Sequence, residues 1–170
     1  MASEAAILLK DIQGEKNYGK ITGLLKSGVK SVYRGELVLT LPRVKVIPRK
    51  DGKPAHNYQL ASDPAVTLFC TEDDVAPLSD YEYHLMAAVK SREARYEVFQ
   101  KDILDWGSKL VAEMIVHVGL PSKAAVSNQH ALAIIRYIGP LPGENGVQFG
   151  VEIMVSVDVH VLPGIFDIIF

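Results

Sequence analysis

The chain has 170 residues, 48% of them hydrophobic, with 18 Lys and Arg against 20 Asp and Glu for a formal net charge of −2. That is enough apolar material for one ordinary domain or two very small ones, and the slightly acidic balance argues against a nucleic-acid footprint. No run approaches the roughly 20 apolar residues that cross a bilayer, MASEAAILLK does not read as a signal peptide, and the single Cys70 rules out an internal disulfide and fits a reducing compartment.

In chain order, Ala5–Leu9 is a short apolar run compatible with a strand or a helical turn. Asp11–Tyr18 is polar and carries no periodicity, and Ile21, Leu24 and Leu25 stand among glycines. Val32–Leu41 is predicted as one strand, because Leu37, Leu39 and Leu41 alternate with Glu36, Val38 and Thr40. Val44–Ile47 would extend it beyond Pro42, which has no N–H for a ladder. Pro48–Asn57, with Asp51-Gly52, reads as a loop, and its basic cluster of Lys45, Arg49, Lys50 and Lys53 reads as solvated. Val66–Cys70 is predicted as a buried strand with Cys70 a small hydrophobe within it. Thr71–Asp74 lacks the spacing of a calcium loop and reads as a solvated turn.

The clearest helical signal follows. Ser79 can cap a first turn and Glu82 stands three residues later, which completes a capping box. Leu78, Leu85, Met86 and Val89 make one apolar stripe, so the spacing predicts a helix over 80–90 that continues or restarts through 93–100. His84 on it reads as a surface or boundary residue rather than a metal ligand. Trp106-Gly107 is expected to break the pattern. Leu110–Val118 is apolar, with His117 expected on the face opposite Val116 and Val118, and 123–130 is a polar connector.

Two further runs frame a loop that holds Gly139, Pro140, Pro142, Gly143, Asn145 and Gly146. Ala133–Ile138 is β-branched and aromatic. Val147, Phe149, Val151 and Ile153 alternate with Gln148, Gly150 and Glu152. This predicts a β-hairpin with a long loop and one buried face. Beyond it, Val155, Val157, Val159 and Val161 alternate with polar residues and could add a strand. No nucleophile–base pattern, phosphate-cradling glycine loop or paired zinc ligands stand in the sequence, so no catalytic, cofactor or metal residue is nominated.

Arg136-Tyr137-Ile138-Gly139-Pro140-Leu141, the loop, and Phe149-Gly150-Val151-Glu152-Ile153 together resemble a CAP-Gly domain. That family has a strand ending in an Arg-x-x-Gly turn and then an aromatic-x-Gly-Val-Glu-Leu strand. The region from Ala65 to Ile153 is similar to the N-terminal part of the cylindromatosis-type deubiquitinase family. The shared features are Ala65–Phe69, Glu72–Val75, Glu93–Phe99, Val118-Gly119-x-Pro121 and the hairpin. Met154–His160 stands where the family has its Gly-rich loop, and Gln148 stands where it has an aromatic.

The expected fold is therefore α+β and mainly β, with antiparallel strands, a partial SH3-like barrel at the C-terminal end and one helix or helical hairpin. The expected divisions are an N-terminal β segment over 1–60, a strand and helical region over 61–115, and an incomplete CAP-Gly-like domain with an atypical tail over 116–170. The resemblance implies a non-catalytic protein-interaction module with a peptide groove involving Tyr137, Phe149 and Glu152. Ordinary packing is the competing reading for Phe149, which shares a face with Val147 and Val151. The implied partners are tubulin C-terminal tails or ubiquitin-signalling proteins, in a cytoplasmic and cytoskeleton-associated setting. The alternative is membership of a cysteine deubiquitinase family whose catalytic domain lies outside this chain.

Overall fold

The computed structural model describes residues 4–21, 24–41, 47–48, 54–120, 129–157 and 167–168. The strands are β1 (Ala5–Leu8), β2 (Ile12–Ile21), β3 (Leu24–Val32), β4 (Leu37–Thr40), β5 (Ile47–Pro48), β6 (Pro54–Leu60), β7 (Asp63–Cys70) and β8 (Val75–Leu78). Three helices follow, α1 (Asp80–Ala88), α2 (Arg92–Gln100) and α3 (Ile103–Ser108). The chain ends with β9 (Ile115–Leu120), β10 (Gln129–Gly139), β11 (Gln148–Val157) and β12 (Asp167–Ile168). It divides into two compact units between Ser108 and Lys109. The fold is α+β and mainly antiparallel β, and no described helix is long and apolar enough to cross a membrane.

The first unit is an antiparallel sheet in the order β3-β2-β7-β6-β4-β1-β8, with β5 added to β6. Strand β1 is buried along its whole length because both of its faces are covered. Ala6 and Leu8 join Val32, Val38, Leu60, Val66, Leu68, Cys70 and Val75 in one core cluster. Ile7 stands opposite Leu37 on the other face, where α1 comes against β1, β4 and β8. Full burial of Ile7 and Leu8 contributes about 1.5–3 kcal/mol each. Cys70 lies in this core, fully buried.

Helix α1 forms where its local signals place it. The Ser79 hydroxyl accepts from the Glu82 amide at 3.3 Å, and the Glu82 carboxylate accepts from the Ser79 amide at 2.7 Å. Leu85 and Met86 turn into the core, and His84 is exposed. Ser91 restarts the helical chain as the N-cap of α2, accepting from the Ala94 amide at 3.2 Å.

Several expectations are corrected. Val32–Leu41 is two strands, not one. The strand is interrupted at Arg34-Gly35, where Gly35 has φ +84°, a conformation that costs an L side chain strain, and it resumes in the same direction as β4 against β1. The polar stretch expected over Asp11–Tyr18 is strand β2 from Ile12 onward, and the expected loop 48–57 becomes strand from Pro54. Thr71–Asp74 is not a solvated turn. Both Thr71 and Asp74 are buried, and the Asp74 carboxylate accepts from the Thr71 amide at 2.9 Å and from its hydroxyl at 2.8 Å. Trp106-Gly107 does not break a helix but lies inside α3. The basic cluster Lys45, Arg49, Lys50 and Lys53 lies outside the described residues, as does the connector through 128.

The second unit has the strand order β11-β10-β9-β12. The neighbours β11, β10 and β9 are antiparallel, and β12 joins β9 in parallel. Val116, Val118, Ala131, Ala133 and Ile135 are its buried residues on one face. His117 is also buried, on the face opposite Val116 and Val118 as its place in the strand requires.

Candidate functional site

The second unit holds the hairpin that carries Tyr137, Phe149 and Glu152. Its register decides which of them can act together. On β11 the alternation is unbroken from Gln148 to Ile153, so Phe149, Val151 and Ile153 share one face and Gln148, Gly150 and Glu152 the other. Strand β10 does not keep a single phase. Ile135 stands opposite Val151 and Tyr137 opposite Gly150, so Arg136 is an inserted residue and forms a β-bulge. Ala131, Ala133 and Ile135 therefore point into the interior, while Tyr137, which would follow them in a regular strand, is switched to the Gly150 face. Tyr137 and Glu152 lie on one face of the hairpin and Phe149 on the other, half-buried opposite Ile138.

Tyr137 is held firmly for an exposed aromatic. Its hydroxyl donates to the Pro140 carbonyl at 2.5 Å. Its ring lies over Gly139, where an added Cβ would stand 2.7 Å from the Tyr137 oxygen. On the cross-strand side, a Cβ at Gly150 would stand 3.0 Å from the Tyr137 Cβ. The two glycines thus leave the space that the tyrosine fills. The side chain keeps 41% of its surface in solvent.

Arg136 lies beside it on the surface. Its Nε donates to Glu152 at 2.6 Å, and an Nη donates to the Glu113 carboxylate. Glu152 first and Glu113 second push the guanidinium pKa upward, so the group stays charged. Glu113 reaches this position from the turn Val111–Met114, where it takes a left-handed φ of +69°. That turn is sewn to β10 by two backbone bonds, from the Glu113 amide to the Ile135 carbonyl at 2.7 Å and from the Ile135 amide to the Met114 carbonyl at 3.0 Å.

The same face continues as an apolar shelf. Ile134 pairs with Ile115 on one side and with Glu152 on the other, so the three form one row across the sheet. Ile115 is 59% exposed. Gln148, at the position where the resemblance expects an aromatic, donates to the Asn145 carbonyl at 2.9 Å and helps close the hairpin loop.

The register brings Tyr137 and Glu152 together and separates Phe149 from them. Sequence reasoning did not single out Glu113 or assign Arg136 a part. Arg136 belonged to a quoted motif, but Glu113 carries no sequence signal for its place, since it depends on the turn before β9. Among the described residues no group of His, Cys, Asp and Glu is arranged to hold a metal ion. Comparison with family models, with curated proteins and with solved structures yields no match.

Proposed function

We propose that this chain is a non-catalytic protein-interaction module akin to the CAP-Gly region of the cylindromatosis-type deubiquitinases, and that the Tyr137 face of the β10–β11 hairpin is its docking surface. On this reading β9, β10 and β11 form part of an SH3-like barrel. Tubulin tails and ubiquitin-signalling proteins are the partners implied by the resemblance, in a cytoplasmic, cytoskeleton-associated setting.

The observation that supports the reading is the state of Tyr137. An aromatic ring seated on two glycines and tied by its hydroxyl, yet open to solvent, offers contact area that needs little further ordering on binding. The neighbouring row of Ile115, Ile134 and Glu152 continues the face across three strands.

The test is selection of peptides from a displayed library on the whole chain, repeated with Tyr137→Ala. The expected result is a set of peptides that bind the native chain and lose at least about tenfold in affinity with the variant. Selected peptides that bind both proteins equally would overturn the reading. A ubiquitin-based thiol-reactive probe addresses catalysis directly. It should leave the chain unlabelled, and labelling of Cys70 would make the chain an enzyme.

A further inference from the structure

Resting on the docking reading above, we propose that the Tyr137 face takes an extended segment carrying a lysine or arginine two residues from an aliphatic residue, rather than an acidic tail such as the tubulin tails that the resemblance implies. The charge on the face selects between the two. Arg136 is the cation that stands there, and it is already shared between Glu113 and Glu152. Both carboxylates are mostly exposed, at 69% and 61% of their side-chain surface. Two negative charges against one leave the triad with a surplus of −1. From Lys109 to Met154, the described side chains are Lys109 and Arg136 against Glu113, Glu144 and Glu152. Arg136 keeps N–H groups beyond its two hydrogen bonds, but a carboxylate that takes them stands beside Glu113 and Glu152, two like charges against the one cation.

A basic side chain meets the opposite situation. Glu113 and Glu152 each keep acceptor capacity beyond the hydrogen bond made to Arg136. Tyr137 adds a fixed aromatic ring on the same face, and a cation over such a ring is attracted by its quadrupole. Ile115 and Ile134, in the row that ends at Glu152, receive an aliphatic side chain from the same strand of partner. The pattern of the ligand follows from the period of a strand. The cation and the aliphatic residue are two apart, so that both face the sheet.

The experiment uses the whole chain and two labelled octapeptides, one repeating Lys-Thr-Val-Thr and the other Glu-Thr-Val-Thr, with binding read by fluorescence anisotropy. Glu152→Gln, Glu113→Gln and Tyr137→Leu are compared, with circular dichroism to confirm that each is folded. The lysine peptide should bind more tightly than the glutamate peptide, by about threefold or more. Each glutamine variant should weaken it about two- to fivefold, and the effect should shrink as salt is raised. Tyr137-dependent binding of the glutamate peptide in preference overturns this inference and leaves the docking reading intact. Equal binding of the lysine peptide by all variants, or no binding of either peptide, overturns the inference; equal binding also removes Tyr137 from the docking reading. The glutamine variants change no backbone and remove only exposed charge, so they test the inference even if Tyr137→Leu fails to fold.

Discussion

Arg95 Nε donates to the carbonyl of Gly35 at 2.8 Å, sixty residues away in sequence. The same guanidinium donates to the Val89 carbonyl at 2.8 Å and to Glu36 at 3.3 Å. One side chain of α2 thereby ties the turn between β3 and β4 to the end of α1. The contact is close because position 35 has no side chain. A Cβ there would stand 2.0 Å from the Arg92 carbonyl oxygen. Arg92 over Tyr33 at 4.1 Å and Arg34 over Tyr96 at 4.9 Å flank the junction with two cation–π contacts of opposite sense.

Arg95→Met should therefore lower stability by about 2–4 kcal/mol, since it leaves two carbonyls and a carboxylate without their donor while keeping most of the packing volume. Arg95→Lys should rescue little, because a single ammonium cannot span three acceptors that a guanidinium fork reaches together. Urea unfolding of the three proteins checks this. Equal midpoints for Lys and Arg would refute the three-way role.

Asp102 has a left-handed φ of +54° just past the end of α2, where its amide bonds the Phe99 carbonyl at 3.3 Å. Glycine takes that conformation without strain and is the common residue beyond a helix C-terminus. Asp102→Gly should raise stability by about 0.5–1 kcal/mol, read as a rise in Tm. A fall in Tm would mean that the aspartate side chain contributes more than its backbone costs.

Acid should weaken the first unit through Asp63. Its carboxyl accepts from Lys16 at 2.8 Å and from Lys30 at 3.1 Å, and these bonds lower its pKa to about 2 from an ordinary 3.8. A carboxyl with a depressed folded pKa stabilises above its unfolded value, and that contribution is lost as pH falls from about 4 to 2. Asp74 moves in the same direction. Burial opposes the shift, but the Thr71 amide and hydroxyl and Lys10 outweigh it. Asp63→Asn should lower Tm at pH 7 and flatten the decline of Tm between pH 4 and 2. An unchanged acid slope would assign the loss to other groups.

Gly139→Ala should disturb Tyr137 without unfolding the hairpin. The new methyl would stand where the tyrosine oxygen passes, so the bond to the Pro140 carbonyl must break or the ring must swing away. The expected outcome is an unchanged far-ultraviolet circular dichroism spectrum, a shifted Tyr137 ring resonance and weaker binding of any Tyr137-dependent peptide. A native ring position in the variant would show that the glycine is dispensable.

What could be read from the sequence was what depends on neighbours in the chain. Ser79 and Glu82 announce α1 because a capping box is local. The alternation through Val147–Ile153 announces β11 for the same reason. Strand β2 could not be read, since Lys16, Asn17 and two glycines carry no apolar period. Its place is set by pairing with β3 and by the shared reach of Lys16 and Lys30 to Asp63. The interruption at Arg34-Gly35 was hidden inside a continuous alternation, where a single glycine is compatible with strand. In the candidate site, the residues were visible and their faces were not, because one inserted residue changes the phase of β10.

That insertion has a consequence for how the hairpin can vary. Without the bulge, with Arg136 paired opposite Gly150, Tyr137 would fall in step with Ala131, Ala133 and Ile135, and the ring would pass from solvent to the interior while Ile138 moved outward. The two faces of β10 therefore answer to different demands. Substitutions at Ala131, Ala133 and Ile135 are judged by the volume of a closed interior, and those at Ile134 and Tyr137 by whatever the surface meets.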